Sequence, residues 1–198
     1  MDPPVTLPTT WGTFKVYALP GDTLVLTSGN LSSGVPLVRI HSECLTGDVF
    51  GSLKCDCGEQ LRVALQEIHQ ASSGILIYLR QEGRGLGLVN KIRAYHIQEH
   101  LGLDTVEANQ HLGYPPDLRN YSEAARILKD LGILRVRLLT NNPDKIQALQ
   151  EAGISVIERV PLETTPRPQN SDYLITKARK MGHLFSTGES PLSSKTEG

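Results

Sequence analysis

Every cysteine of the chain falls within one short window, at Cys44, Cys55 and Cys57, with His41 three residues ahead of the first. Three thiols are an odd number and too few for the disulfide framework of a small secreted domain. In a reducing compartment, thiols clustered this closely more often bind metal or do chemistry, and as soft ligands they favour zinc. Two cysteines one residue apart face opposite sides of a strand, so Cys55 and Cys57 can serve one ion only from a turn. Gly51 and Gly58 bracket such a turn. Two metal sites fit this spacing. If His41 binds, the centre is a closed, structural Cys3His site; if it does not, three thiolates leave a fourth position for water. Three buried, reduced thiols without a metal are the remaining reading.

The rest of the chain is that of an ordinary globular protein. Glycine and proline, 18 and 12 of 198 residues, make up about 15%, short of the ~25–30% that marks low complexity. Disordered and fibrous classes are thereby excluded, and the length suits one domain or two small ones. Lys and Arg number 20 against 21 Asp and Glu, a net charge of −1. That balance argues against a dedicated nucleic-acid or membrane-surface binder. No run approaches the ~18 apolar residues of a membrane span. The start Met1-Asp2-Pro3-Pro4 lacks the charged-then-apolar pattern of a signal peptide, so a cytoplasmic location is expected.

Periodicity predicts strands at Phe14 to Leu19 and Thr23 to Thr27, separated by Pro20-Gly21-Asp22, and a third apolar run at Val35 to Ile40. From Glu59 to Ser72, Leu61, Ala64, Leu65 and Ile68 recur at helical spacing. A buried strand at Ile75 to Leu79 follows, then the Gly83-Arg84-Gly85-Leu86-Gly87 stretch opening into an amphipathic helix over Leu88 to Leu101. Farther on, Ser122 reads as the N-cap of a helix through Leu131, and Arg135 to Leu139 as a strand. Asn142 then caps a helix with Pro143 first inside it and Gly153 just past its end. Ile154 to Ile157 reads as a strand closed by Pro161, and Asp172 to Met181 as a short helix. The expected fold is one α/β domain, a mixed sheet with flanking helices and a β-rich N-terminal part, over residues 1–185. Residues 186–198, with Leu192 their only large apolar residue, are expected to be a disordered tail.

Two strand-to-helix junctions have the makings of anion sites. Between Tyr78 and Tyr95, Arg80, Arg84, Lys91 and Arg93 stand against Glu82 alone, a net of +3. Basic residues on a Gly-rich turn at a helix start suit a polyphosphate, although G-x-G-x-G is a weak motif alone and a solvated helix face is the plainer reading. Thr140 to Lys145 is the second junction, where free backbone N–H groups sit beside a hydroxyl and a lysine. It also reads simply as a good helix cap. Asp117 and Arg119 lie two apart on a stiff Pro115-Pro116 loop, a rigid mount for reactive groups or a surface ion pair.

Taken in order, these segments resemble GTP cyclohydrolase II, the enzyme family that opens riboflavin biosynthesis. The resemblance rests on Arg39 to Asp48 followed by Cys55-Asp56-Cys57-Gly58, on Arg80 to Gly85, and on Asn90 to Tyr95. It continues through Asp104 to Asn109, Pro115 to Arg119 and Leu138 to Pro143, spanning roughly Leu7 to Leu184. It implies the family's fold and its reaction, in which GTP and water give formate, pyrophosphate and 2,5-diamino-6-ribosylamino-4(3H)-pyrimidinone 5′-phosphate.

It further implies one zinc ion (Zn2+) per chain on Cys44, Cys55 and Cys57 with water in the open position. Metal-bound water with its pKa lowered toward ~7 is a nucleophile at neutral pH, here toward C8 of guanine and then the formamide. The resemblance places Arg39, Ile40, His41, Ser42 and Glu43 against the nucleotide, with Gln60, the Glu82-Gly83-Arg84 turn, Thr105, Thr140 and Lys145. Asp117 matches the family's proposed proton acceptor, and Tyr95 a tyrosine beside the metal. Arg119 matches a residue proposed to attack the α-phosphorus, although an always-protonated guanidinium is a better charge stabiliser than nucleophile. Mg2+ is expected on the triphosphate, and a homodimer is expected from the family. Asn120 and Ser122-Glu123 depart from the residues more usual there. The family also occurs fused to a dihydroxybutanone phosphate synthase domain, for which this chain has no room, so the standalone form is expected.

Relatives that stop at the formamidopyrimidine are one alternative, against which Tyr95 counts. A non-catalytic, zinc-bearing nucleotide- or RNA-binding module is another. The low aromatic content, 5%, offers it little to stack on bases.

Overall fold

Alternating apolar residues pair into one seven-stranded sheet in the computed structural model, which describes residues 2–184. The tail expected at 186–198 lies outside the described residues. The strands are β1 (Val5–Thr9), β2 (Gly12–Leu19), β3 (Thr23–Gly29), β4 (Leu37–Ser42), β5 (Ser73–Leu79), β6 (Arg135–Leu139) and β7 (Ser155–Val160). The helices are α1 (Leu45–Asp48), α2 (Cys57–Gln70), α3 (Leu88–Leu101), α4 (Thr105–His111), α5 (Ser122–Asp130), α6 (Pro143–Glu151) and α7 (Ser171–Met181). Across the sheet the order is β1-β2-β3-β5-β4-β6-β7. The first four of these pair antiparallel and the last four parallel, sharing β5. This is the expected mixed α/β sheet with its β-rich start. Among the described residues no helix is long and apolar enough to cross a membrane.

Because successive strand residues face opposite sides, each central strand feeds two cores. On one side Phe14, Leu26, Leu37 and Leu76 pack under Ala64, Leu65 and Ile68 of α2. On the other, Val25, Val38, Ile40, Ile75 and Ile77 pack under Ala124, Ile127 and Leu128 of α5 and Leu149 of α6. So α2, which connects β4 to β5, covers one face, while α6, which connects β6 to β7, covers the other. Connections leaving β4 and β6 to opposite faces open a crevice at their carboxyl ends, the usual ligand position in such sheets.

Several boundaries differ from the sequence reading. Tyr121, not Ser122, occupies the N-cap position of α5, and the Asn120 side chain accepts from the Ser122 N–H at 2.7 Å. β1 was not expected: it is an edge strand whose Val5 and Leu7 are exposed, and it carries Pro8, tolerated only where no ladder bond is needed. α4 was missed although Asp104 and Glu107 form a capping box at its start. α3 is helical over the expected span but is not amphipathic in the expected sense. Its buried residues are Lys91 and Ala94, while Leu88, Val89 and Ile92 are exposed, because its inner side meets a polar cleft instead of an apolar core.

Candidate active site

The chain leaves the carboxyl end of β4 through Glu43 to Cys44, and the turn before α2 brings Cys55 and Cys57 back against it. The three Sγ atoms lie within 4.8 Å of one another. Tetrahedral sulfurs around zinc, with bonds of ~2.3 Å, stand about 3.8 Å apart; Sγ of Cys44 and Cys55 are 3.7 Å apart. A Cβ on Gly47 would fall 3.0 Å from Cys55 Sγ and 3.2 Å from Cys44 Sγ, so a larger residue there would crowd this convergence. Hydrogen bonds from Cys55 and Cys57, with Lys91 nearby, pull the Cys44 thiol far below its ordinary pKa. Their bonds to Cys44 and burial push Cys55 up to about 11 and raise Cys57 as well. Three thiolates can coexist here once a divalent cation offsets their repulsion, and the donor set fits one.

His41 stands outside this group. Its Nε2 faces the Asp48 carboxylate at 3.1 Å, and its ring stacks on Tyr78. Asp48 also accepts from the Cys44 N–H at 3.0 Å and the Tyr78 hydroxyl at 2.8 Å, which pins the Cys44 loop to the sheet. Among the described residues the metal-ligand cluster is therefore the open, three-cysteine arrangement.

The opposite wall comes from the turn after β5. Glu82 is buried; it accepts from Lys91 Nζ at 2.8 Å and from the Leu45 N–H at 2.6 Å. Lys91 Nζ also lies 3.1 Å from Cys44 Sγ. Gly83 and Arg84 both take left-handed backbone, at φ +61° and +60°, which costs a non-glycine residue ~1–2 kcal/mol. Ser42, Glu43, Tyr95 and Thr105 complete a cleft around the cysteines. Burial raises the Tyr95 hydroxyl to about 12, so it keeps its proton at neutral pH.

A second lobe adjoins it, and Ser42, Cys57, Arg119 and Tyr173 line both. Its charge is basic. Arg39, on β4 and buried, donates to the Leu139 carbonyl at 3.1 Å and to Gln60 at 2.8 Å. Burial lowers its pKa to about 10. Lys145, buried at the start of α6, reaches back 2.9 Å to the Ile40 carbonyl, and burial holds its pKa well below the ordinary value. Among the described residues, neither cation hydrogen-bonds a carboxylate. Thr140 lines the same lobe. Buried charge of one sign without a partner calls for an anion.

Two expected residues sit differently from the rest. The Ile40 side chain is in the apolar core on the far face, and only its carbonyl faces the lobe. Asp117 lines neither lobe; it holds Arg119, accepting from its Nε at 2.9 Å. Burial alone would lower the Arg119 pKa, but the Asp117 carboxylate outweighs it and raises it above the ordinary value.

The basic side chains of the stretch after β5 do not converge on one point: Arg84 and Lys91 line the thiol cleft, whereas Arg80 and Arg93 do not. Arg80 pairs with Glu43 at 3.0 Å, Lys91 turns to Glu82 and Cys44, and Arg93 bonds Asn90 on the surface. Net charge along a sequence says nothing about the directions in which side chains leave a helix. Conversely, Asp48, Asp56, Tyr173 and Lys177 belong to the cleft and its supports without a role read for them in the sequence, and Lys91, read there as a phosphate-side cation, serves the thiol cluster. Asp56, flanked by two cysteines, offered a positional signal; Lys177 looks like any lysine of a solvated helix.

The family model described as GTP cyclohydrolase II matches residues 2–161. The riboflavin biosynthesis protein RibBA of Bacillus cereus is 56% identical over 187 residues, covering 91% of this chain and 47% of that protein. Its counterpart in Bacillus mycoides is 55% identical with the same coverage. The chain thus spans about half the length of these curated relatives. A solved structure of RibBX, a two-domain 3,4-dihydroxy-2-butanone 4-phosphate synthase from A. baumannii, aligns with 71% of this chain and 33% of its own. The identity there is 19% and the TM-score 0.36, too distant to bear on the fold.

Proposed function

This chain belongs to the GTP cyclohydrolase II family, and we propose that it hydrolyses GTP to formate, pyrophosphate and 2,5-diamino-6-ribosylamino-4(3H)-pyrimidinone 5′-phosphate, the first step of riboflavin biosynthesis. The observation that carries this reading is the adjacency of two unlike lobes, one walled by three converging thiols and the other by unpaired buried cations, with Cys57 and Arg119 on both. A purine nucleotide whose base meets the thiols and whose phosphates meet Arg39 and Lys145 spans them.

Cys44, Cys55 and Cys57 would hold zinc, which when bound supplies the Lewis acidity that makes water a nucleophile near neutral pH. Tyr95, protonated and on the thiol lobe, orients a water or donates a proton to the opening ring. Thr105, Glu43 and the Glu82-Gly83-Arg84 turn bound the base side, Ser42 lies between the lobes, and Gln60 lies on the phosphate side. In the basic lobe Arg39, Lys145 and the Thr140 hydroxyl bind phosphate oxygens, with Mg2+ carried on the triphosphate. Arg119 stays charged beside Asp117 and stabilises charge developing at the α-phosphoryl group, while Asp117 fixes its orientation. The same reading takes the enzyme to be a cytoplasmic homodimer.

The test is incubation of purified protein with GTP and Mg2+, following formate, pyrophosphate and the pyrimidine together. All three products support the reading. Pyrophosphate without formate contradicts the ring-opening role of the thiol lobe, and tight binding of unchanged GTP contradicts the enzyme reading in favour of a binding module.

A further inference from the structure

The match to the family model ends at residue 161, yet the basic lobe has a wall from beyond it. Tyr173 and Lys177 of α7, and His183 in the turn after it, all line the lobe. This wall is anchored at both ends. Lys177 Nζ lies 2.6 Å from Oδ1 of Asp56, and both side chains are buried. The Leu184 N–H donates to the Asn141 carbonyl at 2.8 Å, and the His183 N–H to the Lys177 carbonyl at 3.1 Å. The segment is thus tied to the cysteine turn and to the Thr140–Lys145 junction at once.

Within that wall Nε2 of His183 is buried and has no hydrogen-bond partner among the described residues. Buried polar atoms are rarely left this way unless a ligand or water completes them. Nε of Arg39, in the same lobe, is also without a partner. Of the basic side chains lining the lobe, Lys177, Arg119 and His41 face Asp56, Asp117 and Asp48, which leaves Arg39, Lys145 and His183 without a carboxylate partner among the described residues. Burial, with Lys177, Arg119 and Lys145 around it, lowers the imidazole pKa to about 3, so the ring is neutral. A neutral imidazole whose Nε2 carries the proton is a donor, and an ionised phosphate oxygen only accepts.

We propose that His183 is a substrate-binding residue of this site, donating its Nε2–H to a phosphate oxygen of a nucleoside triphosphate held by Arg39 and Lys145, with α7 fixed in place by the Lys177–Asp56 pair. The proposal rests on the nucleotide reading above and adds to it a residue outside the matched family segment. It requires that loss of the donor weaken phosphate binding without touching the ring-opening chemistry.

The test uses the full chain with zinc, and three measurements. Calorimetric binding of guanosine 5′-[α,β-methylene]triphosphate, with KM and kcat for GTP, is compared between wild type, His183→Phe and His183→Gln. Phenylalanine keeps the ring shape and removes the donor; glutamine restores an N–H near the same position. His183→Phe is expected to weaken analogue binding and raise KM about 10-fold or more, as for a lost hydrogen bond to a charged group, with kcat nearly unchanged. His183→Gln is expected to recover most of this. In wild-type protein the nitrogen NMR signal of His183 Nε2 is expected to shift on saturation with the analogue, a readout that survives even if the phenylalanine variant does not fold. Equal binding and KM in wild type and His183→Phe, or an unmoved Nε2 signal, overturns the proposal while leaving GTP turnover intact. A wild-type protein that binds neither analogue nor GTP overturns the nucleotide reading and this inference with it.

Discussion

The Lys91 ammonium stands 3.1 Å from Sγ of Cys44 while pairing at 2.8 Å with Glu82, so one buried cation ties the thiol cluster to the turn after β5. Both side chains of the ion pair are only 9% exposed. Breaking a buried pair by removing one partner leaves the other charge uncompensated and costs ~3–5 kcal/mol. Lys91→Met should therefore lower the urea-unfolding free energy by about that much. The double variant Lys91→Met/Glu82→Gln should recover part of the loss, since it removes both charges. A single variant as stable as wild type would contradict the burial of this pair.

Gly47 should behave as part of the metal centre although it offers no ligand. Its substitution by alanine puts a methyl group 3.0 Å from Cys55 Sγ and 3.2 Å from Cys44 Sγ, so the sulfurs must spread or the α1 turn must shift. Gly47→Ala is expected to reduce zinc bound per chain, read by elemental analysis after dialysis against a weak chelator, with affinity lowered on the order of 10–100-fold as for a disturbed ligand shell. Unchanged zinc content under that competition would argue against convergence of the three thiols on one ion.

Arg84 occupies left-handed backbone at φ +60° and lines the thiol cleft. Replacing it with glycine relieves that conformation, at the expense of greater freedom in the unfolded chain. Arg84→Gly is expected to keep thermal stability within about 1 kcal/mol of wild type, or to raise it slightly. The KM for GTP should rise several-fold in the same protein. A fall in stability with unchanged KM would mean that the side chain holds the fold and not the substrate.

The Asp117–Arg119 pair makes a pH-dependent contribution to stability. Burial raises the Asp117 pKa, but the hydrogen bonds and charge of Arg119 more than offset this and leave it below the ordinary 3.8. A carboxyl depressed on folding stabilises the protein fully above its unfolded value, and the contribution is lost as pH falls through the lowered folded value. Asp117→Asn should therefore cost ~1–2 kcal/mol near neutrality, with the difference from wild type shrinking toward zero as pH falls through the lowered folded value. A difference independent of pH across that range would rule out the ionised pair as its source.

What the sequence revealed follows from how local the determinants are. Ala64, Leu65 and Ile68 recur at helical spacing and so marked α2, and Asn142-Pro143 marked the start of α6, because those signals act within a turn or two of chain. β1 escaped because its apolar residues face solvent, and the extent of α3 was legible while its buried face was not. In the site, the cysteine spacing predicts a turn holding two thiols; Cys55 lies ahead of α2 and Cys57 opens that helix, so the pair straddles a turn-to-helix junction. The basic lobe was only partly legible, because it depends on β6 lying beside β4. That adjacency brings Lys145 to the Ile40 carbonyl, 105 residues away, and Arg39 to the Leu139 carbonyl, 100 residues away. Lys177 meets Asp56 across 121 residues. No periodicity or motif encodes such meetings; they follow from strand order.

The central claim is that the thiol lobe opens the guanine ring while the basic lobe holds the phosphates. The most direct measurement is the ratio of formate to GTP-analogue affinity in Cys55→Ser protein, taken beside zinc content and melting temperature. The account predicts that the variant loses zinc and formate release, by at least on the order of 10³-fold as expected when a metal-activated nucleophile is lost. Binding of guanosine 5′-[α,β-methylene]triphosphate should stay within about tenfold of wild type, a change of ~1.4 kcal/mol. Formate released at the wild-type rate from zinc-free Cys55→Ser protein would contradict the account.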